Sequence, residues 1–371
     1  MSRDVFDLLT DARPARLEPP TTDAGAAAAA IVGHAVSRPR RRLALVLGSA
    51  GVTAAAAATA IALTVTGASP ATVQGPSQQP APQPLTAGQI LLAAADRSTQ
   101  STLGAGRYLV VREESGSVLP VDAGGGDTYA MLGKTEYESW LVRSGRGDSV
   151  TMSRRLGWVP ASPADAQVWR GLGSPARISV LKPTPTGLRR PGSPVDTTPG
   201  ERQRDVFKGS DVYAIGQENA SLANLEELPT EPAALRRKLL SLYRGGGGDL
   251  PTDRDEWLLT VTGNVVVGLP VSGAVRAAAY RVLADLPGVR ALGPVRDQRG
   301  RAGEGVAFTW SYRGAGKVEE RLIIEPATGR ALSRETRVIE PGGATAWMRP
   351  GGLSTYQLIL GVETTDDTPP A

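Results

Sequence analysis

Apolar and small residues run without a charge from Leu43 to Thr66, and no other hydrophobic stretch of the chain resembles this one. A helix needs roughly 20 such residues to cross a bilayer core. Arg38, Arg40, Arg41 and Arg42 stand immediately before the run. Arginine clusters are retained on the cytoplasmic side. The pattern therefore predicts one membrane helix over 43–66, a cytoplasmic tail over 1–42, and everything past about residue 67 outside. Two rivals exist. Arg41-Arg42-Leu43-Ala44-Leu45 also suits a twin-arginine export signal, and Ala54 to Ala58 suits a buried soluble helix. A cleaved signal core spans only about 7 to 15 residues near the N-terminus, so the longer run behind a long leading segment reads as an anchor.

The remaining patterns are shorter. In the tail, Val5, Phe6, Leu8 and Leu9 suit a brief amphipathic helix, and Ala24 to Val36 a second one. Helices this short are marginal in water, so the tail is expected to be partly disordered. Residues 67–84, rich in Pro, Gln and Ser, read as an extended spacer. A helix is predicted over Ala87 to Arg97, with Ile90, Leu91, Ala94 and Ala95 on one side.

Alternation then predicts strands at Arg107 to Arg112, at Thr128 to Val142 with a break at Gly133, and at Ser149 to Arg155. Leu181 to Gly209, full of Pro, Gly, Thr and Arg, reads as a long loop. Near Pro229 a helix resumes, capped by Thr230. Asp253 to Leu269 is ambiguous, because its apolar face suits a helix while its β-branched content favours strand. Ser272 to Leu286 carries the i, i+3, i+4, i+7 signature of an amphipathic helix. Strands follow at Gly305 to Tyr312, Lys317 to Glu325, Arg330 to Ile339 and Tyr356 to Val362, before a loose end over 365–371. Helix, strands, helices, strands is the order of an α+β domain with an antiparallel sheet, here over residues 85–364.

Composition narrows the chemistry. The 371 residues include no cysteine, which excludes disulfides, thiol nucleophiles and thiolate metal sites. The net charge of +4 is spread among scattered arginines. That is unlike the concentrated basic face of a nucleic-acid module. The single histidine, His34, lies on the tail side of the anchor, so the outer domain has neither a Ser-His-Asp triad nor a histidine zinc site. Gly314, Gly316 and Lys317 lack the spacing of a P-loop and read as a hairpin turn. Asp253, Asp255 and Glu256 suit a helix N-terminus better than an acid–base pair. The six tryptophans, Trp140, Trp158, Trp169, Trp257, Trp310 and Trp347, read as core residues, with the lining of an apolar ligand cavity as the alternative.

The segment GLPVSGAVRAAAYRVLADLPGV and the segment EERLIIEPATGRALSRETRVIEP (Glu319 to Pro341) resemble an actinobacterial family of uncharacterised single-pass membrane proteins. Members are often encoded beside extracytoplasmic-function sigma factors. The resemblance covers the topology, is most specific over residues 253–341, implies that Asp253 to Leu269 is helix, and carries over no functional residue. By element order the outer domain is also similar, more distantly, to curved antiparallel half-barrels with inserted helices, as in lipoprotein carriers and in sensors acting on anti-sigma factors.

The expected function is a non-enzymatic, membrane-anchored domain that binds an envelope lipid or protein and signals inward, without cofactor or metal. A sigma-factor regulator acting through the tail is the alternative, and a surface hydrolase using carboxylates alone is a third reading. The expected partners are the lipid bilayer, an envelope ligand and a cytoplasmic partner of the tail, with no nucleic acid.

Overall fold

Pairing of the first long strand with the last organises the fold. The structure, a computed structural model, describes residues 84–100, 103–143, 147–210, 212–246, 250–312 and 314–370. The expected tail and membrane helix, with His34 and the arginines at 38, 40, 41 and 42, lie outside these residues, as does the spacer up to residue 83. No described helix is long and apolar enough to cross a membrane.

Helix α1 (Ala87–Ser98) opens with a capping box, in which Thr86 and Gln89 satisfy each other's backbone N–H groups. Strands β1 (Tyr108–Gly124), β2 (Asp127–Val142) and β3 (Asp148–Pro160) form a meander of long hairpins. Helix α2 (Pro163–Gly171), which periodicity missed, follows under a Ser162 cap. Then come β4 (Arg177–Thr184), β5 (Gly187–Asp196), β6 (Arg202–Lys208), and the small hairpin β7 (Tyr213–Ile215) with β8 (Glu218–Ala220). Helices α3 (Leu222–Glu226), α4 (Pro232–Ser241), α5 (Arg254–Val267) and α6 (Gly273–Asp285) precede β9 (Arg290–Arg296), β10 (Ala302–Tyr312), β11 (Gly316–Ile324), β12 (Ala331–Pro341) and β13 (Leu353–Thr365). The result is a mixed α+β fold around one large antiparallel sheet, ordered β6-β3-β2-β1-β13-β12-β11-β10-β9, with β4 and β5 joined to the far end of β1.

Several expectations need correction. The predicted loop over Leu181 to Gly209 contains β5 and β6. Strand β5 tolerates Pro191 and Pro194 because it pairs with β4 alone and needs no donor on its free side. Thr128 to Val142 is one strand without a break at Gly133: a glycine there leaves room for the Trp158 ring, which would sit 2.8 Å from an added Cβ. The cap of α4 is Glu231 rather than Thr230, its carboxylate accepting from Ala234 N. The domain also runs past residue 364. Thr365 pairs with Tyr108, and Asp366 accepts from Arg107 N within the segment read as a loose end.

The ambiguous stretch from Asp253 to Leu269 holds helix α5. Asp253 Oδ1 accepts from the N–H groups of both Asp255 and Glu256, and from Trp257 onward nearly every α5 residue is buried. A helix apolar on all sides belongs in the middle of a core, and packing there outweighs the weak strand preference of its valines. Helices α1, α4, α5 and α6 pack on one another, and α1 and α5 lay the bundle on β9–β12, closing the main apolar core.

Long strands with this many neighbours need bulges to bend. Leu360 is the extra residue of β13 against β1, Leu332 of β12 against β11, and Leu156 of β3 against β2. Arg301, in the turn between β9 and β10, donates to Ile359 O at 2.8 Å and Leu332 O at 2.9 Å, so one guanidinium serves carbonyls beside two of these bulges. Arg299, in the same turn, reaches Glu114 on β1 at 2.7 Å, and Gln298 reaches Glu335 on β12 at 2.9 Å. The hairpin thereby straps the sheet face opposite the helices.

Candidate functional site

Side-chain alternation fixes which residues face the helices. On β1, Leu109 and Val111 join the main core, while Leu119 and Val121 join a second apolar cluster with Tyr129, Met131, Ile178, Val180 and Val195. Between the two, on the same face, come Glu113, Ser115 and Ser117. On β2, Leu141 belongs to the main core and Met131 to the second cluster. Ser139, Tyr137 and Thr135 lie between them. Strand register extends the band sideways: Ser115 faces Gln357, Ser117 faces Thr355, Thr355 faces Thr336, Tyr137 faces Ser153, and Ser139 faces Thr151. A polar waist thus crosses the inner face of the sheet between two apolar ends.

Part of the waist is satisfied internally. Ser139 and Thr151 hydrogen-bond each other at 3.0 Å. The Gln357 amide donates to Glu113 Oε2 at 3.1 Å. Arg334 donates to Glu320 Oε2 at 2.6 Å and to Asn264 Oδ1 at 3.3 Å, tying β12 to β11 and α5. Six half-buried hydroxyls, of Ser115, Ser117, Thr135, Ser153, Thr336 and Thr355, have no hydrogen-bond partner among the described residues. The buried Tyr213 OH and Thr262 Oγ1 also lack one.

Glu113 and Glu320, the carboxyls hydrogen-bonded within the waist, differ. Glu113 is 3% exposed and no described cation pairs with it. Burial pushes its pKa well above the usual carboxylate range, and the Gln357 hydrogen bond only partly offsets that. Burial raises Glu320 as well, against the opposing charge and hydrogen bond of Arg334. Burial and the facing Glu113 carboxyl together hold the Tyr213 phenol un-ionised.

The sign of the resulting pH dependence follows directly. Above the unfolded carboxylate pKa the unfolded chain loses the Glu113 proton while the folded chain keeps it, so stability falls as pH rises toward the folded pKa. Each pH unit in that window costs about 1.4 kcal/mol per such group. Glu113→Gln is therefore expected to flatten the decline above about pH 5 and to raise stability at neutral pH. Denaturant titrations of both proteins across pH check this, and parallel profiles would contradict it.

The sequence candidates land elsewhere. Asp253, Asp255 and Glu256 form the first turn and cap of α5. Gly314 and Gly316 sit in the β10–β11 turn with positive φ, as a hairpin turn requires. The tryptophans do not line one cavity. Trp257 and Trp310 are in the main core and Trp140 is in an opposite-face cluster with Tyr108, while Trp158 and Trp169 lie against the second cluster. Among the described residues no group of acidic or histidine side chains is placed to hold a metal ion. Sequence reasoning missed the waist. Its only local trace is the Ser, Thr and Glu interruption of the apolar alternation in β1 and β2. No known protein family matches this chain, and no curated protein matches it either.

Proposed function

We propose that residues 85–364 form a non-catalytic binding domain, held outside the membrane by the Leu43 to Thr66 helix, whose occupant lies along the polar waist. The carrying observation is the row of six half-buried hydroxyls without internal partners between two apolar clusters. Hydroxyls in that position are satisfied by water or by a ligand, and a site with convergent polar groups and apolar walls is the usual form of a ligand pocket. The finer architecture suited to this role is a half-barrel, bent by its bulges around the inner face, with the helices inserted at one end. A non-catalytic role fits the absence of histidine and cysteine from residues 84–371. The occupant is an envelope lipid or protein in this reading, and the 1–42 tail passes occupancy to a cytoplasmic partner such as a sigma factor.

The chain's lack of cysteine makes single-cysteine labelling a clean test. In intact cells a membrane-impermeant maleimide is expected to label Ala327→Cys, in the exposed β11–β12 turn, and to spare Ala27→Cys in the tail. Ser117→Cys is expected to react more slowly in native membranes than after unfolding, extraction of small molecules and refolding, because the occupant shields it. The opposite labelling of the first two positions would overturn the topology. Equal rates for Ser117→Cys in both preparations would overturn the waist as the binding site.

A further inference from the structure

The sheet face opposite the waist holds a second feature. Strands β1, β2, β3 and β6 there frame an open cavity of about 230 Å³, lined by Arg112, Glu136, Glu138, Met152, Arg154 and Arg202 among others. Register sets Glu136 opposite Arg154 and Arg154 opposite Arg202. Two like charges facing each other across neighbouring strands are unfavourable unless something negative lies between them.

The other charges of the cavity are accounted for. Glu138 accepts from the Trp140 indole at 2.8 Å, and its second oxygen lies 3.5 Å from both Arg112 and Arg202. Arg112 also pairs with Glu363. Glu136 lies 3.6 Å from Arg299. Arg154 differs. Its Nε donates to Gly200 O at 3.3 Å, which fixes the guanidinium plane, and among the described residues no carboxylate pairs with it. Its two terminal amino groups are left open beside Arg202, which only its contact with Glu138 engages.

We infer that this cavity binds a phosphoryl group between Arg154 and Arg202. A carboxylate offers two acceptor oxygens, whereas a phosphoryl group offers a third and more charge, and so suits donors arriving from both arginines at once. Glu138 holds Arg202 at 3.5 Å, and Met152 adds an apolar side chain to the lining. The phosphoryl group belongs either to a soluble phosphate ester or to an anionic lipid headgroup. A domain tethered to a bilayer by a spacer of the length of residues 67–84 can reach the second source.

The test uses the full chain in uncharged detergent micelles and inorganic phosphate as probe. Phosphate is expected to raise the thermal midpoint above that in sodium chloride of equal ionic strength. Arg154→Gln is expected to weaken the apparent phosphate affinity by about tenfold or more. Its ligand-free midpoint should be unchanged or higher, because the like-charge pair is gone. Arg177→Gln, at an exposed site on β4, should respond as wild type does. A second arm places the protein in nanodiscs of phosphatidylcholine with or without phosphatidylglycerol. Loss of the phosphate response in the anionic discs assigns the site to headgroups, and an unchanged response assigns it to a soluble ester. An equal shift in chloride, or an Arg154→Gln protein that responds like wild type, overturns the inference. Neither result depends on the waist being a binding site.

Discussion

Arg334→Ala is expected to lower the free energy of unfolding by about 3–5 kcal/mol at neutral pH. Among the described residues Arg334 is the one cation paired with Glu320, whose side chain is wholly buried, and the contact is 2.6 Å. Removing the arginine leaves a charge in the core that must stay unpaired or take up a proton. It also strips Asn264 Oδ1 of its donor, loosening α5 from β12. Because protonation relieves the first defect, the loss should shrink as pH falls, which a cavity alone would not do. The paired replacement Glu320→Leu with Arg334→Met should recover most of the stability, since buried ion pairs are commonly no better than well-packed apolar residues. Denaturation followed by the fluorescence of the buried Trp257 reads both variants. A single variant within about 1 kcal/mol of wild type would mean the pair is not desolvated.

Arg301→Ala should cost a similar amount, about 3–5 kcal/mol, by another route. The guanidinium makes three contacts: Asp297 Oδ2 at 2.6 Å, Ile359 O and Leu332 O. The Asp297 side chain has no exposure. Truncation therefore leaves a buried carboxylate without its counter-charge and two carbonyls beside bulges without a donor. Lysine keeps the charge but cannot present a planar fork to three acceptors, so Arg301→Lys should retain only part of the lost stability. If Arg301→Lys matches wild type, fork geometry is not what holds the strap.

What the sequence revealed depended on the range over which each element is decided. The helix at Ser272 to Leu286 was legible because its apolar spacing and its serine cap lie within a few residues of each other. The turns at 314–316 and 326–329 were legible because glycine at positive φ marks them locally. Strands β5 and β6 were hidden because sheet edges permit proline and charge, so they look like loop. Helix α5 was ambiguous because the surrounding core, and not its own valines, decides its conformation. The waist was illegible for a stronger reason. Ser117 and Thr355 become neighbours only because β1 pairs with β13. A serine in one strand and a threonine far along the chain carry no mark of having been brought together.

That same pairing governs the order in which the domain can be built. The last strand sits in the middle of the sheet, between β1 and β12, so a chain lacking Leu353 to Thr365 has two separate half-sheets with open edges. The chain through Thr365 must be synthesised before those edges close, and pairings of such long sequence separation form slowly. Truncation from the C-terminus should accordingly abolish folding where loss of the residues before α1 does not, and the unfinished edges are where a chaperone would be needed.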